Sequence, residues 1–74
     1  MPVDFSVNLR GYDRGQVDSL VHRLTEALGS ADPVLREQVR QEVSVATFDV
    51  AIRGYDRAQV DRYVSQARAE LDRR

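Results

Sequence analysis

Phe5-Ser6-Val7-Asn8-Leu9-Arg10-Gly11-Tyr12-Asp13-Arg14-Gly15-Gln16-Val17-Asp18 returns, without a gap, as Phe48-Asp49-Val50-Ala51-Ile52-Arg53-Gly54-Tyr55-Asp56-Arg57-Ala58-Gln59-Val60-Asp61. Ten of the 14 positions are identical, and Leu9/Ile52 and Gly15/Ala58 are mild exchanges. The register holds through Leu20/Tyr63, Val21/Val64, Leu24/Ala67 and Leu28/Leu71. Such a repeat marks a supersecondary unit that cannot bury its apolar face alone. The chain therefore reads as one domain, residues 1–74, made of two loop-then-helix units, 4–28 and 47–71, with a linker helix in 32–45.

Each unit spells out a helix start. Asp13 and Asp56 are N-caps, able to accept from orphan N–H groups of the first turn. Gln16 and Gln59, three residues on, are placed to reach back and close a capping box. Tyr12 and Tyr55 precede the caps and face Val17 and Val60 as hydrophobic staples. Gly11 and Gly54 stand where the chain turns into the helix, and a positive φ is expected there. Apolar residues then recur with helical spacing: Val17, Leu20, Val21, Leu24 and Leu28 in one unit, and Val60, Tyr63, Val64, Ala67 and Leu71 in the other. These stripes predict helices over 14–28 and 57–73. Gly29 closes the first, and Arg73 and Arg74 suit the negative end of the second.

Asp32-Pro33 marks a further start, with Asp as cap and Pro at the first helical position. Val34, Leu35, Val39 and Val43 follow, so a shorter helix is expected over 33–44. Ahead of each motif helix, Phe5-Val7-Leu9 and Phe48-Val50-Ile52 alternate with polar or small residues, the pattern of an extended segment with one apolar edge. The fold class expected from this pattern is all-α.

Composition narrows the function. A 74-residue chain is marginal as an independent domain and leans on a staple or a partner. It has no cysteine and one histidine, His22, too few for a disulfide framework or the usual zinc site. No cofactor is expected. The net charge of −1, with acids and bases interspersed, argues against nucleic-acid binding, which needs a basic face. All 11 basic residues are arginine, a residue suited to bidentate contacts with carboxylate or phosphate. No stretch reaches the ~20 apolar residues of a membrane span, and Met1-Pro2-Val3-Asp4-Phe5 lacks the features of a signal peptide. A cytoplasmic location follows as the expectation. Five serines lack a repeated histidine partner, and the acids are explained by capping, so an enzyme is not expected.

The string Phe-x-x-x-apolar-Arg-Gly-Tyr-Asp-x-x-x-Val-Asp resembles the N-terminal motif of the DivIVA family, bacterial polar and septal scaffold proteins. Both copies match, so the resemblance covers most of the chain. In that family the motif forms a loop at the end of a parallel coiled-coil dimer, and the two loops cross to present an apolar residue beside an arginine to the membrane. The resemblance implies those contact roles for Leu9 with Arg10 and for Ile52 with Arg53. Chemistry alone places Leu9 and Ile52 in the core, as most aliphatics of a small chain are. It leaves Arg10 and Arg53 open between lipid contact and an ion pair to Asp13 or Asp18. The chain departs from the family pattern in having two motifs and almost no coil.

Two functions follow as expectations. One is a cell-division or polar-growth accessory module that docks on an anionic membrane surface, at the inner face of the cell membrane, or on a related scaffold. The other is a pure protein–protein adaptor or decoy whose stripes pair with a scaffold coiled coil without lipid contact. For assembly, either the second motif helix lies parallel to the first, making a monomeric pseudo-dimer, or the motif helices of two chains pair as a homodimer.

Overall fold

The computed structural model describes residues 4–73. The elements follow the repeat: β1 (Val7–Tyr12), α1 (Arg14–Leu28), α2 (Pro33–Val45), β2 (Val50–Tyr55) and α3 (Arg57–Asp72). The helices begin where their caps stand. Asp13 accepts from the Gln16 N–H at 3.0 Å, Asp56 from the Gln59 N–H at 2.9 Å, and Asp32 from the Val34 N–H at 2.9 Å. Pro33 opens α2, where its missing N–H costs nothing.

The expectation of an all-α fold is corrected by β1 and β2, which form a two-stranded sheet. Alternation marks both segments as extended, but it does not say that their open backbone edges pair with each other. Val7 lies opposite Tyr55, Asn8 opposite Gly54, Leu9 opposite Arg53, Gly11 opposite Ala51 and Tyr12 opposite Val50. The partner number falls as the residue number rises, so these pairs run antiparallel. The ladder omits the Arg10 step, and Tyr12 also meets Tyr55 where the two ribbons cross.

The crossing explains the glycines, and not as expected. Neither Gly11 nor Gly54 has a positive φ. Each is buried, and a Cβ on Gly11 would overlap the backbone of Gly54 and Tyr55, just as one on Gly54 would overlap Gly11 and Tyr12. They are glycines because two main chains touch there.

The stripes of α1 and α3 face each other in the same direction. Val17 and Val21 pack with Val60 next to the sheet, under Phe5, Tyr12, Phe48 and Tyr55. Farther along, Leu20, Leu24 and Ala27 meet Ala67 and Leu71, with Val39 and Val43 of α2 completing the core. α2 runs back antiparallel. Its Val43 end lies by Leu20 and Phe48, and its Arg36 reaches the far ends of both motif helices. The Arg36 guanidinium donates to the carbonyls of Ala27 at 3.2 Å, Ser30 at 3.5 Å and Glu70 at 3.4 Å. One side chain thus serves two helix C-termini, where the sequence suggested Arg73 and Arg74, and for the second helix alone. Arg73 instead bonds Glu70, while Arg74, like Met1, Pro2 and Val3, lies outside the described residues. The two repeat units thus pack against each other within the one described chain. None of its helices is long and apolar enough to cross a membrane.

Candidate docking site at the crossed loops

The motif residues lock the two units together. Gln16 and Gln59 do not close capping boxes, because the backbone N–H groups they were to take are already used. Asp13 N–H donates to the Asp49 carbonyl at 2.9 Å and Asp56 N–H to the Ser6 carbonyl at 2.8 Å. Each glutamine reaches across instead. The Gln16 side-chain oxygen accepts from the Asp49 N–H at 2.8 Å and its nitrogen donates to the Asp49 carboxylate at 3.0 Å. Gln59 accepts from the Ser6 N–H at 2.7 Å and donates to the Ser6 hydroxyl at 3.4 Å.

The tyrosines also cross. The Tyr12 hydroxyl donates to Asp61 at 2.9 Å, and the Tyr55 hydroxyl to Asp18 at 2.8 Å. Tyr12 packs on Phe48 and Tyr55 on Phe5, with ring centroids 5.1 and 5.2 Å apart. The staple is therefore shared between units. Both phenols are held above their ordinary pKa: Tyr12 by partial burial and then by its bond to Asp61, Tyr55 chiefly by its bond to Asp18. Asn8 adds an unrepeated bond to Asp56 at 2.7 Å, since its counterpart is Ala51.

Above this lock stands the tip of the crossed loops. Leu9 is 75% exposed and Ile52 is 83% exposed, so neither belongs to the core. Val7 and Val50 are exposed beside them. Arg10 and Arg53 are exposed too, and among the described residues neither forms an ion pair, with Asp13 and Asp18 or with any other acid. Leu9 faces Arg53 across the ladder, which sets an apolar side chain of one unit next to a cation of the other. Arg10 has φ 58°, the left-handed region, and is the one non-glycine residue described there. Arg57, at the first turn of α3, lines a shallow depression with Leu9 and Arg10. It and Arg14, its counterpart on α1, place cations at helix N-termini, where the helix dipole disfavours them. The remaining expected site residues are structural. The turn and cap residues build the lock. Of the stripe, Val17, Leu20, Val21, Leu24, Val60, Ala67 and Leu71 are buried in the chain itself, and Leu28, Tyr63 and Val64 are half-buried against them.

Sequence reasoning missed Asp18, Asp49 and Asp61 as lock partners. Their repetition within the motif was the available signal for Asp18 and Asp61; Asp49 has Ser6 as its counterpart and offered none. Comparison with known proteins gives no match to any protein-family model, curated protein or solved structure.

Proposed function

We propose that the chain is a non-enzymatic module that docks by its crossed-loop tip on an anionic membrane surface. The observation that carries this reading is the tip itself, where two large aliphatic side chains stand in solvent beside two arginines that make no ion pair among the described residues. Two aliphatic ends dipping below the headgroups, with guanidinium groups at phosphate depth, give weak reversible binding that sums over the two motifs. Arg10 strengthens the reading. A left-handed backbone costs a non-glycine residue about 1 kcal/mol or more, and the Arg10 side chain makes no ion pair among the described residues to offset it.

The resemblance of both motifs to the DivIVA family supports a role as an accessory of cell division or polar growth, on the cytoplasmic face of the membrane. The adaptor reading has less support. Its pairing stripe is spent inside the chain, so a scaffold helix would have to displace α2 or a motif helix to reach it.

Vesicle co-sedimentation tests the proposal. Wild type should pellet with vesicles containing phosphatidylglycerol and stay in solution with pure phosphatidylcholine. Leu9→Ser/Ile52→Ser and Arg10→Ala/Arg53→Ala should each lose most of that binding while keeping helical circular dichroism. No wild-type binding to the anionic vesicles would end the membrane reading.

A further inference from the structure

The outer face of α2 carries a second pattern. Its ionic side chains are drawn to the flanks, except that Glu37 stands at the edge of the middle strip and accepts from the Gln41 amide at 3.0 Å. Arg36 caps the other helices, Arg40 bonds Glu37 and Asp72, and Glu42 pairs with Arg23 of α1 at 2.8 Å. The middle of the face is left without charge: Val34, Gln38, Gln41 and Val45 are all exposed, the two valines at 63% and 78%. Their spacing of four, three and four residues is that of a coiled-coil seam. In a chain with 31% charged residues, an uncharged seam along almost the whole of α2 presents one helical face to a partner.

The order Val-Gln-Gln-Val reads the same in both directions, so the seam complements itself. We propose that a second copy of this chain packs on it, with the two α2 helices antiparallel about a two-fold axis. Val34 then meets Val45 of the other copy, and Gln38 meets Gln41, whose amides each supply a donor and an acceptor. An isologous contact of this kind needs one surface only. The acids on the flanks fix the direction. In parallel pairing, Glu37 of each copy would stand against Glu42 of the other, two like-charge contacts across one short interface. In antiparallel pairing those flanks meet Ser44 and Leu35, and no acid faces an acid.

The association is weak. A pair of helices this short covers well under the roughly 800 Å² per partner of a standard interface, so the dimer forms only at high concentration. Its geometry has a consequence that rests on the docking reading above. α2 runs along the motif helices, so antiparallel pairing points the two crossed-loop tips in opposite directions. The dimer would hold two membrane surfaces together.

The chain has no cysteine, so cross-linking tests the contact directly and without lipid. Val34→Cys/Val45→Cys should oxidise to a covalent dimer. Val34→Cys alone and Val45→Cys alone should not, because like positions sit at opposite ends of the interface, some 16 Å apart. Sedimentation equilibrium on the unmodified chain should show the mass rising above 8.4 kDa toward millimolar concentration, and Val34→Glu/Val45→Glu should abolish the rise with helicity intact. A mass fixed at the monomer value, or cross-linking of the single variants as readily as the double, overturns the proposal. With the dimer established, the oxidised double variant should cluster anionic vesicles. A cross-linked dimer that leaves vesicles dispersed would count against the docking reading and leave the dimer standing.

Discussion

Gln16 binds Asp49 at both ends of its amide, accepting from the backbone N–H at 2.8 Å and donating to the carboxylate at 3.0 Å. The residue that local reasoning assigns to its own helix cap thus belongs to the other repeat. Its counterpart Gln59 makes the same reach to Ser6, but meets a hydroxyl where Gln16 meets a carboxylate. The glutamines are matched in the repeat, and the Ser6/Asp49 exchange makes them unequal in what they face.

That difference predicts opposite tolerance to one substitution. Gln16→Glu sets a carboxylate against the Asp49 carboxylate, and should cost about 1–3 kcal/mol at pH 7, with recovery as the pH falls through the carboxylate range. Gln59→Glu still accepts from the Ser6 N–H, and the Ser6 hydroxyl can turn to donate, so its cost should stay within about 0.5 kcal/mol. Urea unfolding of both variants at pH 7 and pH 4.5 checks the contrast.

The glycine pair separates close approach from helix propensity. Gly11→Ala and Gly54→Ala each push a methyl into a crossing main chain, and each should destabilise by about 3 kcal/mol or more, enough to unfold a domain of this size. Gly15→Ala, the residue already present at Ala58, meets only ordinary contact with Asp13. It should be neutral or stabilise by several tenths of a kcal/mol. Thermal melts followed at 222 nm distinguish the three.

The particular residues show how far the sequence carried. Caps and stripes are local properties of the chain, and the helices at Arg14–Leu28, Pro33–Val45 and Arg57–Asp72 lie within one residue of the ranges they implied. Pairing between Val7–Tyr12 and Val50–Tyr55 is not local. The alternation of Phe5, Val7 and Leu9 was visible, but only the return of the chain along α2 brings the two segments together. The same return turns Tyr12 toward Asp61 and Gln16 toward Asp49. Leu9 and Ile52 illustrate the opposite error: hydrophobicity suggested burial, while the tight crossing at Gly11 and Gly54 leaves the residues before it outside.

Arg36 should prove more costly to lose than any surface arginine, because its guanidinium satisfies carbonyls at the ends of both α1 and α3. Arg36→Met keeps much of the aliphatic stem and removes the donors. A loss of about 1–2 kcal/mol is expected, against a few tenths for Arg62→Met on the exposed side of α3. Hydrogen exchange should show the loss first as fraying of the last turn of α1.

The tyrosine pair sets the alkaline limit. Both phenols are raised in the folded state, so the folded chain holds its protons where the unfolded chain has begun to release them. The stabilisation is complete below the unfolded phenol value of about 10 and is lost as pH rises through the higher folded values. Unfolding midpoints should therefore fall steeply above about pH 10. Tyr12→Phe/Tyr55→Phe should lower stability at pH 7 by about 1 kcal/mol per lost bond and flatten the alkaline decline. An unchanged slope in the double variant would show that the two bonds do not hold the protons.

Arg10 and Arg53 occupy the same place in the repeat, yet Arg10 alone has a positive φ, 58°. Glycine relieves a left-handed backbone and loosens an ordinary one. Arg10→Gly should thus stabilise the fold by about 0.5–1 kcal/mol, and Arg53→Gly should destabilise it by a similar amount. Binding to phosphatidylglycerol vesicles should move otherwise, because each substitution removes one guanidinium from the tip. Both variants should bind several-fold more weakly at low salt, and the difference should shrink as salt screens the exposed charges. A more stable Arg10→Gly chain that binds worse would assign this arginine to the surface it meets. If Arg10→Gly binds as tightly as wild type, the strain at this position does not serve the membrane, and the docking surface has been drawn too wide.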